Sequence, residues 1–130
     1  MLDKVEYWLD LADEDITATE LLVKGKKYLH AGFFCHLTAE KALKAIIASI
    51  TSAVPPKTHD LLRLAELGGI FDELTENQFN LLEELNPLNI EARYPEYKER
   101  IANILTADKT NNIFKGTREF LCWTKQRLKK

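Results

Sequence analysis

The chain has 130 residues, 45% of them apolar and 29% charged, with a formal net charge of -2. That is the balance of an ordinary globular domain, and it excludes a disordered or fibrous chain. Two cysteines, Cys35 and Cys122, are too few for a disulfide framework and have no metal-ligand spacing. The longest uncharged run, residues 45–56, has 12 residues, well short of the roughly 20 that span a bilayer. Acids stand near the N-terminus where a secretory signal carries bases. The expectation is a single domain, residues 1–130, cytoplasmic, with no membrane segment, no metal and no cofactor.

Charge is polarised along the chain. Residues 1–20 hold seven acids against Lys4, and residues 109–130 hold seven bases against Glu119. One reading places two oppositely charged helices side by side, or gives each a solvated face. The other is a basic surface for RNA phosphates. The basic segment lacks the interleaved exposed aromatics of a nucleic-acid platform, so RNA binding is not favoured.

In chain order, apolar residues at Val5, Trp8, Leu9, Ala12, Ile16, Leu22 and Val23 form one stripe at three-and-four spacing, which predicts a helix over 3–24 closed by Gly25. A second long helix is predicted over 28–51. Its residues 42–48 are apolar almost all round, as in a central helix or one shared with a partner subunit. Ala31, Cys35, Thr38, Ala42, Ala45 and Ser49 give it one small-residue face that admits a close neighbour. Val54-Pro55-Pro56 ends it. Thr58 is the expected cap of a short helix over 59–67 stopped by Gly68-Gly69. Thr75-Glu76-Asn77-Gln78 has the form of a capping box, opening a helix to about Leu85 that Asn86-Pro87 closes. Residues 88–96 read as an ordered loop. Residues 98–105 form either a short helix or part of the last long helix, which begins between Thr106 and Thr110. No run alternates strictly, so the fold class is all-α: an up-and-down antiparallel helical bundle with additional short helices.

Chemistry-bearing residues are few. His30 and His36 lie six apart, not the four that brings two imidazoles to one metal on a helix. Cys35 and His36 are adjacent, so they point about 100° apart on a helix and form no dyad. Glu40 and Lys44 read as an exposed i, i+4 pair. Two segments carry more. Thr58-His59-Asp60 puts an imidazole and a carboxylate at a helix start, either as a cap or as an anion site. Glu91-Ala92-Arg93-Tyr94-Pro95 puts a guanidinium beside a phenol on the loop, for function or for anchoring.

Four segments in this order and spacing carry a family likeness: Tyr28-Leu29-His30-Ala31-Gly32-Phe33-Phe34, Ala39-Glu40-Lys41-Ala42-Leu43-Lys44-Ala45, Thr58-His59-Asp60-Leu61 and Ala92-Arg93-Tyr94-Pro95. Together they resemble the HEPN family, the higher-eukaryote and prokaryote nucleotide-binding domains, in its small single-domain bacterial and archaeal members. The resemblance implies a helical bundle that commonly dimerises, often paired with a minimal nucleotidyltransferase, as in toxin–antitoxin systems where the HEPN member can be a metal-independent ribonuclease. That ribonuclease branch relies on an arginine followed four to six residues later by a histidine. Here the last histidine is His59 and the first arginine Arg63, so the motif is absent and no catalytic residue is assigned. The resulting expectation is a non-catalytic, homodimeric binding module for a nucleotide or a nucleotidyltransferase partner, with Arg93, Tyr94, His59 and Lys41 lining the nucleotide site. The alternatives are a ribonuclease that uses His59 with Arg63 or Arg93, and a purely structural oligomerisation scaffold.

Overall fold

The computed structural model describes residues 3–91 and 95–129, with the side chains of residues 90, 91 and 95–98 outside that description. These residues fold into α1 (Lys4–Lys24), α2 (Tyr28–Ile50), α3 (Leu61–Leu67), a single 3-10 turn (Phe71–Glu73), α4 (Glu76–Glu91), α5 (Pro95–Ile104) and α6 (Ala107–Leu128), and no strand occurs among them. The all-α expectation holds.

Local chemistry sets the helix ends. The Asp3 carboxylate accepts the Val5 N–H at 2.9 Å and opens α1. Where α1 stops, the Lys27 N–H returns to the Leu22 carbonyl, and the residue that turns left-handed is Lys26 (φ +60°) rather than Gly25. The expected capping box is present reciprocally: the Gln78 N–H donates to Thr75 Oγ1 at 3.1 Å, and the Thr75 N–H to Gln78 Oε1 at 2.9 Å. The cap of α3 is Asp60, not Thr58. Its carboxylate takes the Leu62 and Arg63 N–H groups at 3.1 and 3.3 Å, while Thr58 Oγ1 accepts only from the Asp60 N–H in the preceding turn.

Two expectations for residues 86–105 are corrected. The fourth helix does not stop at Asn86-Pro87; it runs through Pro87 to Glu91, so residues 88–91 are helical and not loop. An interior proline costs about 3 kcal/mol in helical hydrogen bonding and sterics. Pro87 faces solvent, whereas Leu85, Leu88 and Asn89 on the inner face are 0, 4 and 2% exposed. Burying the two leucines recovers a comparable amount at about 1.5–3 kcal/mol each. Residues 95–104 then form a helix of their own, with Pro95 as first residue, where its missing N–H costs nothing. Thr106 caps α6 separately, accepting the Lys109 N–H at 3.2 Å.

α2 is the hub, packing against α1, α3, α4, α5 and α6. Residues 42–47 are all buried within the bundle itself, so the run whose apolarity suggested a partner subunit is covered by its own chain. Of the small face, Ala31, Cys35, Thr38, Ala42 and Ala45 are buried, while Ser49 is exposed at the helix end. The facing side of α6 presents Thr110, Thr117 and Thr124, all buried. Thr117 and Thr124 donate their hydroxyls back to the Ile113 and Phe120 carbonyls at 2.8 and 2.9 Å, so their polar atoms need nothing from α2. Close approach also explains Gly32: a Cβ there would lie 2.9 Å from Leu105 Cδ1 and 3.2 Å from Leu88 Cδ1.

The charge polarity resolves within the chain. α1 lies antiparallel to α6, with Lys125 on Asp13 at 2.5 Å and Arg118 on Glu20 at 3.8 Å. Arg127 meets Glu73 through two hydrogen bonds, and Lys109 meets Glu84. Four of the seven bases near the C-terminus are thus paired with this chain's own acids.

Candidate functional site

Residues 51–60 leave the end of α2 and fold back along it, and their ties to α2 build the site. The His36 ring, with no exposure, bonds through Nε2 to the His59 carbonyl oxygen at 3.0 Å. His59 in turn places Nδ1 3.0 Å from Glu40 Oε1. The other carboxylate oxygen of Glu40 accepts from Lys44 Nζ at 2.9 Å, and that ammonium lies 5.4 Å from the centroid of the Trp8 ring on α1. One residue on, Asp60 is locked to α4: Asn86 Nδ2 donates to Asp60 Oδ1 at 3.0 Å, and Asn86 Oδ1 accepts the Leu61 N–H at 2.8 Å.

Glu40 and Lys44 are therefore not the exposed pair their spacing suggested. They are 4% and 8% exposed. A buried charge persists only when it is paired and hydrogen-bonded, and here each carboxylate oxygen of Glu40 has a partner. Burial works to raise the Glu40 carboxyl, but hydrogen bonds from Lys44 and His59 outweigh it and hold the group below the ordinary carboxylate range. His36 goes the other way for a base. Burial pushes it down to about 4, only partly offset by Glu40 and the His59 carbonyl, so the ring is neutral near pH 7. Its Nδ1 has no hydrogen-bond partner and lies 3.6 Å from Glu40 Oε1. Half of the His59 side chain remains exposed.

Of the residues expected to line a nucleotide site, His59 stands at the centre of this cluster. Lys41 is on another face of α2, bound to Asp15 of α1 at 2.6 Å. Adjacent helical residues project about 100° apart, so Glu40 and Lys41 serve different neighbours. Arg93 and Tyr94 lie outside the described residues. Arg63, a turn beyond His59, pairs with Glu66 at 3.8 Å. Among the described residues, no group of His, Cys, Asp and Glu is arranged to hold a metal ion. Grooves of about 460 Å³ between α4 and α6 and about 670 Å³ at the end of α2 include neither His59 nor Glu40. Sequence reasoning gave no site role to His36, Glu40, Lys44 or Asn86. The available signal was that Glu40 and Lys44 fall in residues 37–50 of α2, a largely apolar stretch whose one other charged residue is Lys41.

The HEPN domain family matches residues 5–128. TT1696 from Thermus thermophilus is similar in structure, with a TM-score of 0.80 at 18% identity over 96% of this chain and 98% of that one. ST0689, an archaeal HEPN homologue, superposes with a TM-score of 0.65 at 19% identity over 97% and 98%. No curated protein matches the sequence. At these identities the two structures speak for the fold, while the match spanning nearly every residue speaks for ancestry: the chain belongs to the HEPN domain family.

Proposed function

We propose that this protein is a non-catalytic HEPN binding module, acting as a homodimer that takes a nucleotide, a nucleotidyltransferase partner, or both. The observation that carries the reading is the state of its imidazoles. RNA cleavage without a metal needs a group to manage the 2′-hydroxyl proton, with a cation placed for the developing phosphate charge. His36 is fully buried, and every histidine precedes every arginine in the chain. His59 is tied to Glu40, and the nearest arginine in sequence, Arg63, is paired with Glu66. With the arginine nearest in sequence held by Glu66 and the arginine-then-histidine order absent, the half-exposed His59 is read as a recognition group. In this reading His59 belongs to the ligand site, with Arg93 taking phosphate through its planar fork and Tyr94 beside it. Lys41 borders the site only if it leaves Asp15.

Thermal-shift titration with a nucleotide panel at fixed protein concentration tests the proposal. Ligand at 100 times its dissociation constant adds about 2.7 kcal/mol of stability. A dose-dependent rise in Tm for one nucleotide, lost in Arg93→Ala and His59→Ala, is the expected result. Sedimentation equilibrium at micromolar concentration should give twice the chain mass. A flat panel together with a one-chain mass and no association with a nucleotidyltransferase overturns it, as does metal-independent RNA cutting abolished by His59→Ala.

A further inference from the structure

The geometry points to His59 as a hydrogen-bond acceptor held ready by a buried pair: we propose that Glu40 and Lys44 fix its neutral ring with the proton on Nδ1, so that Nε2 presents a lone pair to a neutral hydroxyl or amino group of the ligand. This deepens the binding reading above and rests on it for the ligand, though not for the ring.

The argument is one of donors and acceptors. Lys44 Nζ can only donate, and at 2.9 Å from Glu40 Oε2 it favours an ionised carboxylate that can only accept. The atom 3.0 Å from Glu40 Oε1 is His59 Nδ1, which must therefore carry the proton. His36 does not compete for that oxygen. A carbonyl only accepts, so the bond to the His59 carbonyl puts the neutral His36 proton on Nε2 and leaves its Nδ1 bare, 3.6 Å from Glu40 Oε1. With Nδ1 committed, Nε2 is the ring nitrogen of His59 left to a ligand, on a side chain half exposed to solvent. A carboxylate that orients an imidazole this way is a positioning group, and its removal releases the tautomer.

The partner that fits is a neutral donor, such as a sugar hydroxyl or an exocyclic amine, rather than a phosphate oxygen. A phosphate monoester, whose second pKa is about 6, is a dianion at pH 8 and has no proton to give Nε2.

Nitrogen-15 NMR of the histidine side chains tests this on the intact protein without any ligand. At pH 8, above the ordinary imidazole range near 6.5, His59 should show a protonated Nδ1 and the far-downfield shift of an unprotonated Nε2. A ring protonated on Nε2, or a doubly protonated one, overturns the proposal. Glu40→Gln should move the His59 proton to Nε2, because Lys44 can only donate and so claims the amide oxygen, which turns the amide NH2 toward Nδ1. If the lone buried Lys44 prevents that variant from folding, the double variant Glu40→Gln/Lys44→Met should release the ring to a mixture of tautomers, because an amide in a neutral cluster both donates and accepts, and an unchanged tautomer there refutes the role of Glu40. Adenosine at millimolar concentration should then move Nε2 while methyl phosphate, a dianion at pH 8, does not. Methyl phosphate moving Nε2 toward the protonated form overturns the neutral-donor claim. With the tautomer confirmed, adenosine leaving Nε2 unmoved refutes the ligand contact, and a flat nucleotide panel beside it identifies the failure as that of the binding reading.

Discussion

Lys44→Met isolates the energetics of the buried cluster. Methionine keeps most of the lysine stem and its packing against Trp8 but removes the ammonium 2.9 Å from Glu40. The carboxylate, 4% exposed, is then left with the His59 hydrogen bond alone. Removing one partner of a buried ion pair costs about 3–5 kcal/mol. Glu40 has an escape, since it can take a proton. From an ordinary carboxylate value of 4.5, protonation at pH 7 costs about 3 kcal/mol, which caps the penalty. Unfolding entropy of about 2.1 cal/mol/K per residue gives a chain of 130 residues roughly 0.3 kcal/mol/K, so Tm should fall by roughly 10 °C. In chemical denaturation the midpoint should drop with the slope unchanged. Adding Glu40→Gln to the same chain removes the stranded charge and should restore all but about 1 kcal/mol. The reasoning fails if Lys44→Met is neutral within about 0.5 kcal/mol, or if the double variant is as unstable as the two single variants added together.

Acid should destabilise the fold in a window set by His36. Its folded value near 4 lies below the ordinary 6.5, so below pH 6.5 the unfolded chain binds a proton that the folded chain refuses. Stability is fully present above 6.5 and declines by a little over 1 kcal/mol per pH unit toward 4, about 3 kcal/mol in all. Glu40, held below its ordinary range, adds a loss of the same sign as its carboxylate is protonated. Tm against pH should be steeper for wild type than for His36→Gln between pH 6 and 4, and equal slopes refute the assignment. Cys35 is buried and its thiol is pushed up to about 12, first by burial, whereas Cys122 is exposed. A thiol reagent at pH 8 should therefore label one cysteine in native protein and two after denaturation; rapid labelling of both would contradict this. Lys26→Gly should raise stability by about 1 kcal/mol, because a left-handed conformation costs a side chain about that much. A lower Tm for that variant would show that the Lys26 side chain matters more than its backbone.

What the sequence discloses differs by kind of signal. α1 and α2 follow from an apolar stripe and from runs bounded by Gly25 and Pro55, because a long periodic segment reports burial directly. The Thr75–Gln78 box is legible because capping is chemistry within four residues. Pro87 misleads for the opposite reason: a breaker is a local term, and the burial of Leu85 and Leu88 on α2 is not local. Glu40 and Lys44 mislead more sharply. Spacing of four residues says that they meet, but nothing within α2 says that Trp8 and residues 51–60 will cover them. The opposite charges of α1 and α6 are visible in the composition of two segments, and their pairing is the simpler of the two readings. The importance of His59 is legible only in part. Its place before a short helix is plain, but the buried carboxylate behind it is contributed from 19 residues upstream.

The central position of α2 has a consequence for motion. Every other helix packs on it, so each peripheral element has a route to detach alone, while α2 is freed only when the whole assembly comes apart. Openings should then be graded rather than uniform. The return segment 51–60 hangs on a few polar ties, and the buried side chains of α1 are just Ala12 and Thr19. The middle of α2, residues 38–47, is bound to the fate of the global fold. His59 and Glu40 thus join the two extremes: the imidazole rides on one of the first segments able to loosen, and its anchor sits in the last to yield. A ligand that grips His59 would quiet the outer segment by fastening it to the part of the molecule that moves least.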